Sequence, residues 1–229
     1  MAKIFVYDAY TNKMMVYNRD ENESMPYSYG TTLKVKEFRG SSKSPTLWTT
    51  VAAMEAWNLT RRSYGKSIHV GYAFKRIWEG GHGTRSQHYA GVAFDVGQTQ
   101  GSAARNAIWT AAKNTGAWGY VEPQSMTPTW VHFDRRYGVP SCEGTTSGYP
   151  TLRRGSRGCY VMILQDALST LGYPTGEQID GVFGVLTENA LKGYQRRNWL
   201  TADGVCGCNS WAKISTSVLG VGRTATTID

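Results

Sequence analysis

Two short segments with alternating side chains constrain this chain more than any other feature. In Val92, Ala93, Phe94, Asp95 and Val96 the large apolar residues alternate with Ala93 and Asp95. In Trp130, Val131, His132, Phe133 and Asp134 the apolar Val131 and Phe133 alternate with the other three. Period-two alternation marks a strand with two unlike faces. Each segment is therefore expected to lay an apolar layer on one side, leaving Asp95 in one strand and His132 with Asp134 in the other on the opposite side. The stretch Ser86-Gln87-His88-Tyr89-Ala90-Gly91 precedes the first strand, and three of the four histidines, His82, His88 and His132, fall in these two neighbourhoods. Imidazole and carboxylate suit zinc, whose catalytic sites take three protein ligands and leave a fourth position to water. On that chemistry His88, Asp95 and His132 are expected to hold one catalytic Zn2+, although other divalent metals accept the same donors.

The pattern Ser-x-His-x-x-x-x-x-x-Asp at Ser86, His88 and Asp95, followed by Trp-x-His at Trp130 and His132, resembles the zinc D-alanyl-D-alanine peptidases of the M15 type. These share their fold with the Hedgehog signalling domain and act on peptidoglycan stem peptides. The resemblance covers roughly residues 30–136 and implies the same ligands, His88, Asp95 and His132. A zinc peptidase also needs a general base. Many relatives carry Glu three residues before the last His ligand, where this chain has Thr129, and others carry His in place of Trp130. Glu122, in the strand-like run Trp118-Gly119-Tyr120-Val121-Glu122, resembles a Hedgehog Glu beside zinc and is the expected base; a solvated strand-end carboxylate is the alternative.

Further residues are candidates for contact with substrate or ligands. His82, in Gly80-Gly81-His82-Gly83, has a Hedgehog counterpart and would orient substrate or shuttle protons, unless it is a solvated loop histidine. Asp134 would fix the tautomer of a ligand imidazole, or else pair with Arg135 or Arg136. Ser86 would bond a ligand or the substrate, or serve as a turn residue, and Trp130 shares the face of His132. Relatives carry Gly-Tyr-Arg ahead of the first ligand, whereas this chain reads Gly71-Tyr72-Ala73, leaving Lys75, Arg76 or Arg85 to supply the cation.

With 229 residues, 41% of them hydrophobic, the chain has enough apolar surface for one large or two small domains. No run approaches the roughly 18 apolar residues of a membrane helix, and the first eight residues, Met1 to Asp8, do not read as a secretory signal. The expected location is the cell wall or outside the cell, by an export route the chain does not reveal. The net charge of +8 divides into +6 up to Gly148 (17 Lys and Arg against 11 Asp and Glu) and +2 beyond it (8 against 6). Such basicity draws polyanions, but without a nucleic-acid-binding signature it argues against nucleic acid as partner. The cysteines, Cys142, Cys159, Cys206 and Cys208, all lie outside the His/Asp cluster, so one disulfide in the second domain or free buried thiols are the open readings.

The expected architecture is an α+β zinc peptidase domain, Hedgehog/DD-peptidase-like, over residues 1–141. A linker over 142–150, a small all-α three-helix domain over 151–217 and a tail over 218–229 follow. Helices are expected over 46–61, with Leu47, Val51, Met54 and Trp57 inward, and over 102–115, ending at Gly116. Residues 1–40 read as an extended arm. After the linker, Val161, Leu164, Leu168 and Leu171 fall at helical spacing, and Asp-Gly turns at Asp180-Gly181 and Asp203-Gly204 precede helices near Thr187 and Trp211. The set Gly-Ser-x-Gly, Val-x-x-Leu-Gln, Asp-Gly-x-Phe-Gly-x-x-Thr and Asp-Gly-x-x-Gly over 152–214 resembles the peptidoglycan-binding domain found beside wall hydrolases. Asp180, Gly181, Phe183, Gly184 and Thr187 would shape its turn, with Gly for positive φ, Phe183 in the core and Thr187 as helix cap; its binding surface is not legible.

Both resemblances converge on peptidoglycan, and a linked binding module raises local substrate concentration. The expected activity is a monomeric zinc D-alanyl-D-alanine carboxypeptidase. A peptidoglycan endopeptidase of the phage-lysin kind and a non-catalytic zinc-containing wall-binding protein are the alternatives.

Overall fold

The computed structural model describes residues 1–176, 179–219 and 221. Most of the expected tail, residue 220 and residues 222–229, lies outside them.

The N-terminal segment is not an arm. Strand β1 (Ala2–Asp8) and strand β2 (Lys13–Arg19) form an antiparallel hairpin, and β1 also pairs in parallel with β3 (Thr46–Thr50). The order β2-β1-β3 makes β1 the central strand, and Ile4, Phe5, Val6 and Tyr7 are buried on both of its faces. Residues 46–61 likewise depart from the expected helix. Thr46, Leu47, Trp48, Thr49 and Thr50 are all buried in β3, because branched and aromatic side chains fit the slot beside β1 better than a helix face. Helix α2 (Val51–Tyr64) starts only after Thr50, whose side chain caps it by accepting from the Ala53 N–H at 3.1 Å. A short helix α1 (Val35–Arg39) precedes β3.

The second sheet is antiparallel in the order β4-β5-β7-β6, from β4 (Val70–Tyr72), β5 (Ala93–Val96), β6 (Tyr120–Val121) and β7 (Val131–Asp134). Its apolar face carries Phe94, Val96, Val121, Val131 and Phe133, all buried. Trp57 of α2 stacks on Phe94 at 5.0 Å between ring centroids, a contact worth about 0.5–1.5 kcal/mol beyond burial alone. Helix α3 (Ser102–Thr115) packs beside α2 and ends at Gly116 in the left-handed conformation, as the sequence predicts. Only Ile108, Ala111 and Ala112 of its small-residue stripe are buried, while Ala103 and Ala107 are exposed. The opposite face of the sheet is left to polar residues.

Three helices follow among the described residues: α4 (Cys159–Thr170), α5 (Val185–Arg197) and α6 (Cys208–Val218). They are tied by two copies of one device. The Gln165 side-chain amide donates to Asp180 Oδ1, Val182 O and Thr187 Oγ1, and that of Gln195 donates to Asp203 Oδ1, Val205 O and Ser210 Oγ. Thr187 therefore receives a bond in the first turn of α5, and the expected cap position is taken by Gly184. Gly181 does adopt positive φ, and Phe183 is buried.

The helix ends repeat as well. α4 closes with Tyr173 N–H to Leu168 O and Gly172 N–H to Ser169 O, and α5 closes with Leu200 N–H to Gln195 O and Trp199 N–H to Arg196 O. This closure requires a left-handed residue. The first copy uses Gly172 at φ 84°, the second Trp199 at φ 58°. A side chain in that conformation costs about 1–2 kcal/mol.

α4 belongs to both halves of the molecule. Every residue from Cys159 to Leu168 is buried, as expected for a helix covered all round. One side meets α5 and α6; another meets β3 and the 3-10 turn Ile77–Glu79. At this junction Arg76 and Asp166 form a fully buried ion pair, with Nε to Oδ2 at 2.7 Å and Nη2 to Oδ1 at 2.6 Å, while Arg76 Nη1 donates to Ser44 Oγ at 2.7 Å. The segment 142–150 is pinned rather than free. Cys142 is bonded to Cys208 across 66 residues, and Tyr149 is buried against Tyr160 and Trp211. Closing a loop of that length contributes about 4 kcal/mol in the chain-entropy account. Cys159 and Cys206 are free, buried thiols.

Candidate metal centre

The polar face of the second sheet assembles a row of side chains from four segments. Tyr72 pairs with Asp95 and Asp95 with His132. The Glu122 N–H donates to His132 O at 3.0 Å, continuing the β6/β7 register so that Glu122 lies opposite His132 on the same face. Asp95 Oδ1 and His132 Nδ1 are 2.6 Å apart.

His88 reaches the row from the loop before β5. That loop is wound by N–H donation from Tyr89 to Ser86 O, from Ala90 to Gln87 O and from Gly91 to His88 O. Gly91 is obligatory, since it has φ 65° and a Cβ there would lie 1.9 Å from the Trp48 carbonyl oxygen. His88 Nδ1 faces Ala73 O at 3.1 Å. An N–H must sit on Nδ1 to make that bond, leaving the Nε2 lone pair bare. Nε2 is buried, lies 3.3 Å from Asp95 Oδ2 and makes no hydrogen bond. A buried acceptor beside a carboxylate repels it unless a cation stands between them, and a backbone-anchored Nδ1–H is the usual companion of metal ligation through Nε2. Two imidazoles and a carboxylate thus fit a divalent metal such as zinc.

His82 joins from the loop after the 3-10 turn. Its ring is 4.4 Å from that of His88 and 4.2 Å from that of Tyr72, and candidate donor atoms of His82, His88 and Asp95 all lie within 4.8 Å of one another. The Tyr89 hydroxyl pins this loop at the His82 backbone, N–H and carbonyl both at 3.1 Å. Burial, reinforced by His88, lowers the His82 pKa to about 4. Burial also disfavours charge on Asp95 and His132, but their mutual pairing outweighs it. Asp95 is held well below the usual carboxylate range by His132 and His88, and His132 is raised to about 9 by Asp134 and Asp95. The side chains of Asp95 and His132 keep 14% and 17% exposure, so the cluster is open to solvent.

Asp134 stands behind His132, 3.5 Å from Nε2, and is fully buried with Arg136 Nε at 2.7 Å. Its expected alternatives are both realised: it faces the imidazole and pairs with Arg136. Ser86 accepts from the His88 N–H at 3.3 Å, and its carbonyl accepts from the Tyr149 hydroxyl at 2.8 Å. Trp130 lines a separate cleft of about 210 Å3 with Ser102, Arg105 and Gln124. Arg76 has another role from the one expected, because its guanidinium is sealed against Asp166 beneath Trp48. Of the three candidate cations Lys75 is the one at the cluster, with Nζ 5.7 Å from the Tyr72 ring centroid.

Tyr72 was not singled out from sequence. Its ring walls both His82 and His88, and its buried hydroxyl makes no hydrogen bond. The available signal was its place in Gly71-Tyr72-Ala73, but only the pairing with Asp95 puts it in the row. Gln87 was also missed. It accepts from Tyr160 of α4 at 2.8 Å and donates to Gly148 O at 3.2 Å, tying the residue before His88 to the helical unit.

Fold and site together define a mixed α/β protein with a His/Asp cluster on one sheet and a helical unit built onto it. Comparison with known proteins places that unit: residues 157–214 match the peptidoglycan binding domain family PG_binding_1. The N-acetylmuramoyl-L-alanine amidase CwlM of Mycobacterium tuberculosis is 53% identical over 47 residues, which are 20% of this chain and 11% of the amidase. Among solved structures, a peptidoglycan-binding protein from Clostridioides difficile is 34% identical, covering 32% of this chain and 45% of that one, with a TM-score of 0.29. The SleB N-terminal domain is 34% identical, covering 30% of this chain and 92% of that one, also with a TM-score of 0.29. By the family match, the α4–α6 unit is a peptidoglycan-binding domain. Among the described residues no helix is long and apolar enough to cross a membrane.

Proposed function

We propose that the protein is a zinc-dependent peptidase of peptidoglycan stem peptides, with a terminal D-alanyl-D-alanine bond as its substrate. The observation that carries this reading is the buried, tautomer-fixed Nε2 of His88 turned toward Asp95, which itself pairs with His132, in a chain that also holds a wall-binding domain. His88, Asp95 and His132 would hold the ion. Zinc bound there supplies Lewis acidity, polarising a carbonyl and acidifying a water.

The remaining work falls to the chain's own groups. Glu122, beside His132 and partly exposed, takes the proton from the attacking water on its carboxylate and returns it to the leaving amine. At the other end of the row, Lys75 presents a cation to the terminal carboxylate of the stem, and Tyr72 and His82 wall the space between. Thr129 and Ala73, where relatives carry Glu and Arg, favour a second reading in which the metal is structural and the protein only binds the wall.

Elemental analysis of the purified protein, paired with D-Ala release from a pentapeptide stem before and after chelation, tests the proposal. One zinc per chain with chelator-sensitive release is expected. Zinc without release would favour an endopeptidase or the structural metal, and a chain that binds no zinc would overturn the reading.

A further inference from the structure

The two copies of the helix closure in the wall-binding domain differ in one respect. Where the first places Gly172, the second holds a tryptophan in the same left-handed conformation. Glycine also fills this place at the ends of α2 and α3, as Gly65 and Gly116. Trp199 is 96% exposed. It therefore contributes nothing to the core that offsets its backbone strain, and strain kept without a packing return points to function.

Trp199 is followed directly by Leu200 and Thr201, which line a cleft of about 220 Å3 together with Asp203, Gly207 and Asn209. The cleft carries unused hydrogen-bonding capacity. Asp203 Oδ1 is taken by Gln195 and the Val205 N–H, but the Thr201 hydroxyl, the Asn209 carboxamide and Asp203 Oδ2 make no hydrogen bond among the described residues. A flat exposed indole next to a small polar cleft suits a pyranose ring, whose axial C–H face packs on an aromatic plane while hydroxyl and acetamido groups need donors and acceptors. An apolar peptide would leave the cleft's polar groups unpaired.

We propose that Trp199 and the cleft of Thr201, Asp203 and Asn209 form the glycan-contacting site of the wall-binding domain, taking an amino-sugar unit of the peptidoglycan strand. The site rests on the domain's reading as a peptidoglycan binder, and is independent of the metal centre.

The test is co-sedimentation of the full-length protein with purified peptidoglycan sacculi, with competition by soluble glycan strands stripped of stem peptides. Trp199→Gly removes the indole and relaxes the backbone, so the variant should melt no lower than wild type and bind sacculi at least tenfold more weakly. Asn209→Ala should weaken binding in the same direction. Leu186→Ser, at the place in the first copy that matches Asn209, just before Thr187 as Asn209 is just before Ser210, should bind as wild type. Wild-type binding that survives in Trp199→Gly would overturn the site while leaving the domain's role intact. Failure of wild type to bind sacculi would overturn both, and competition by stem peptides in place of glycan would overturn the assignment to sugar.

Discussion

Asp95 and His132 face each other across adjacent antiparallel strands, with carboxylate and imidazole 2.6 Å apart. The pair is oriented from behind. Asp134 approaches the far nitrogen of His132 and is itself held by Arg136, so a chain of charge runs from the exposed cluster to a buried anchor.

Asp134→Asn breaks that anchor without removing a proposed ligand. Loss of such a supporting carboxylate weakens metal binding by about 10–100-fold. Competition against a chromophoric chelator should show that loss, and unchanged zinc affinity would mean Asp134 serves only Arg136.

Glu122→Gln preserves shape and strand pairing but cannot accept a proton. The variant should retain zinc and lose about 10²–10⁴ in turnover. D-Ala release at full rate would remove Glu122 from the mechanism.

Lys75→Met keeps most of the side-chain volume against Tyr72 and deletes the charge. A hydrogen bond to a charged group contributes about 1.5–3 kcal/mol, so kcat/KM on a free stem terminus should fall about 10–100-fold. Zinc content should not change. A substrate amidated at its terminal carboxylate should lose this discrimination between wild type and variant.

Asp166→Ala leaves the buried Arg76 guanidinium without its countercharge, with Ser44 Oγ still accepting from Nη1, at a cost of about 3–5 kcal/mol. For a chain of this size that lowers Tm by about 10 °C, measurable by thermal denaturation. Arg76→Met combined with Asp166→Leu should recover much of the loss, because a well-packed apolar pair replaces a buried ion pair with little penalty.

Local signals explain what was readable in the chain. The alternation around Asp95 and His132 spans five residues each and places both side chains on one face without knowledge of any partner. α3 was readable as far as Gly116 because its end is a local event. Residues 46–50 were not, since Leu47, Val51, Met54 and Trp57 also satisfy a helical period and the choice is made by pairing with β1, more than forty positions away. The same limit hid the place of Arg76, whose partner Asp166 lies 90 residues on. It also hid the row that Tyr72 joins, and the choice of Cys142 with Cys208 among the possible cysteine pairs.

The seam along α4 changes what a wall-binding domain does for the rest of the molecule. With Arg76 locked to Asp166, Gln87 to Tyr160 and Cys142 to Cys208, the domain is a fixed jig, not a float on a line. A tether multiplies encounters with every stem in reach. A jig selects by spacing: on the proposed function, once seated on a strand it would offer the cluster only those stems that the twist of the glycan carries to one distance and one side.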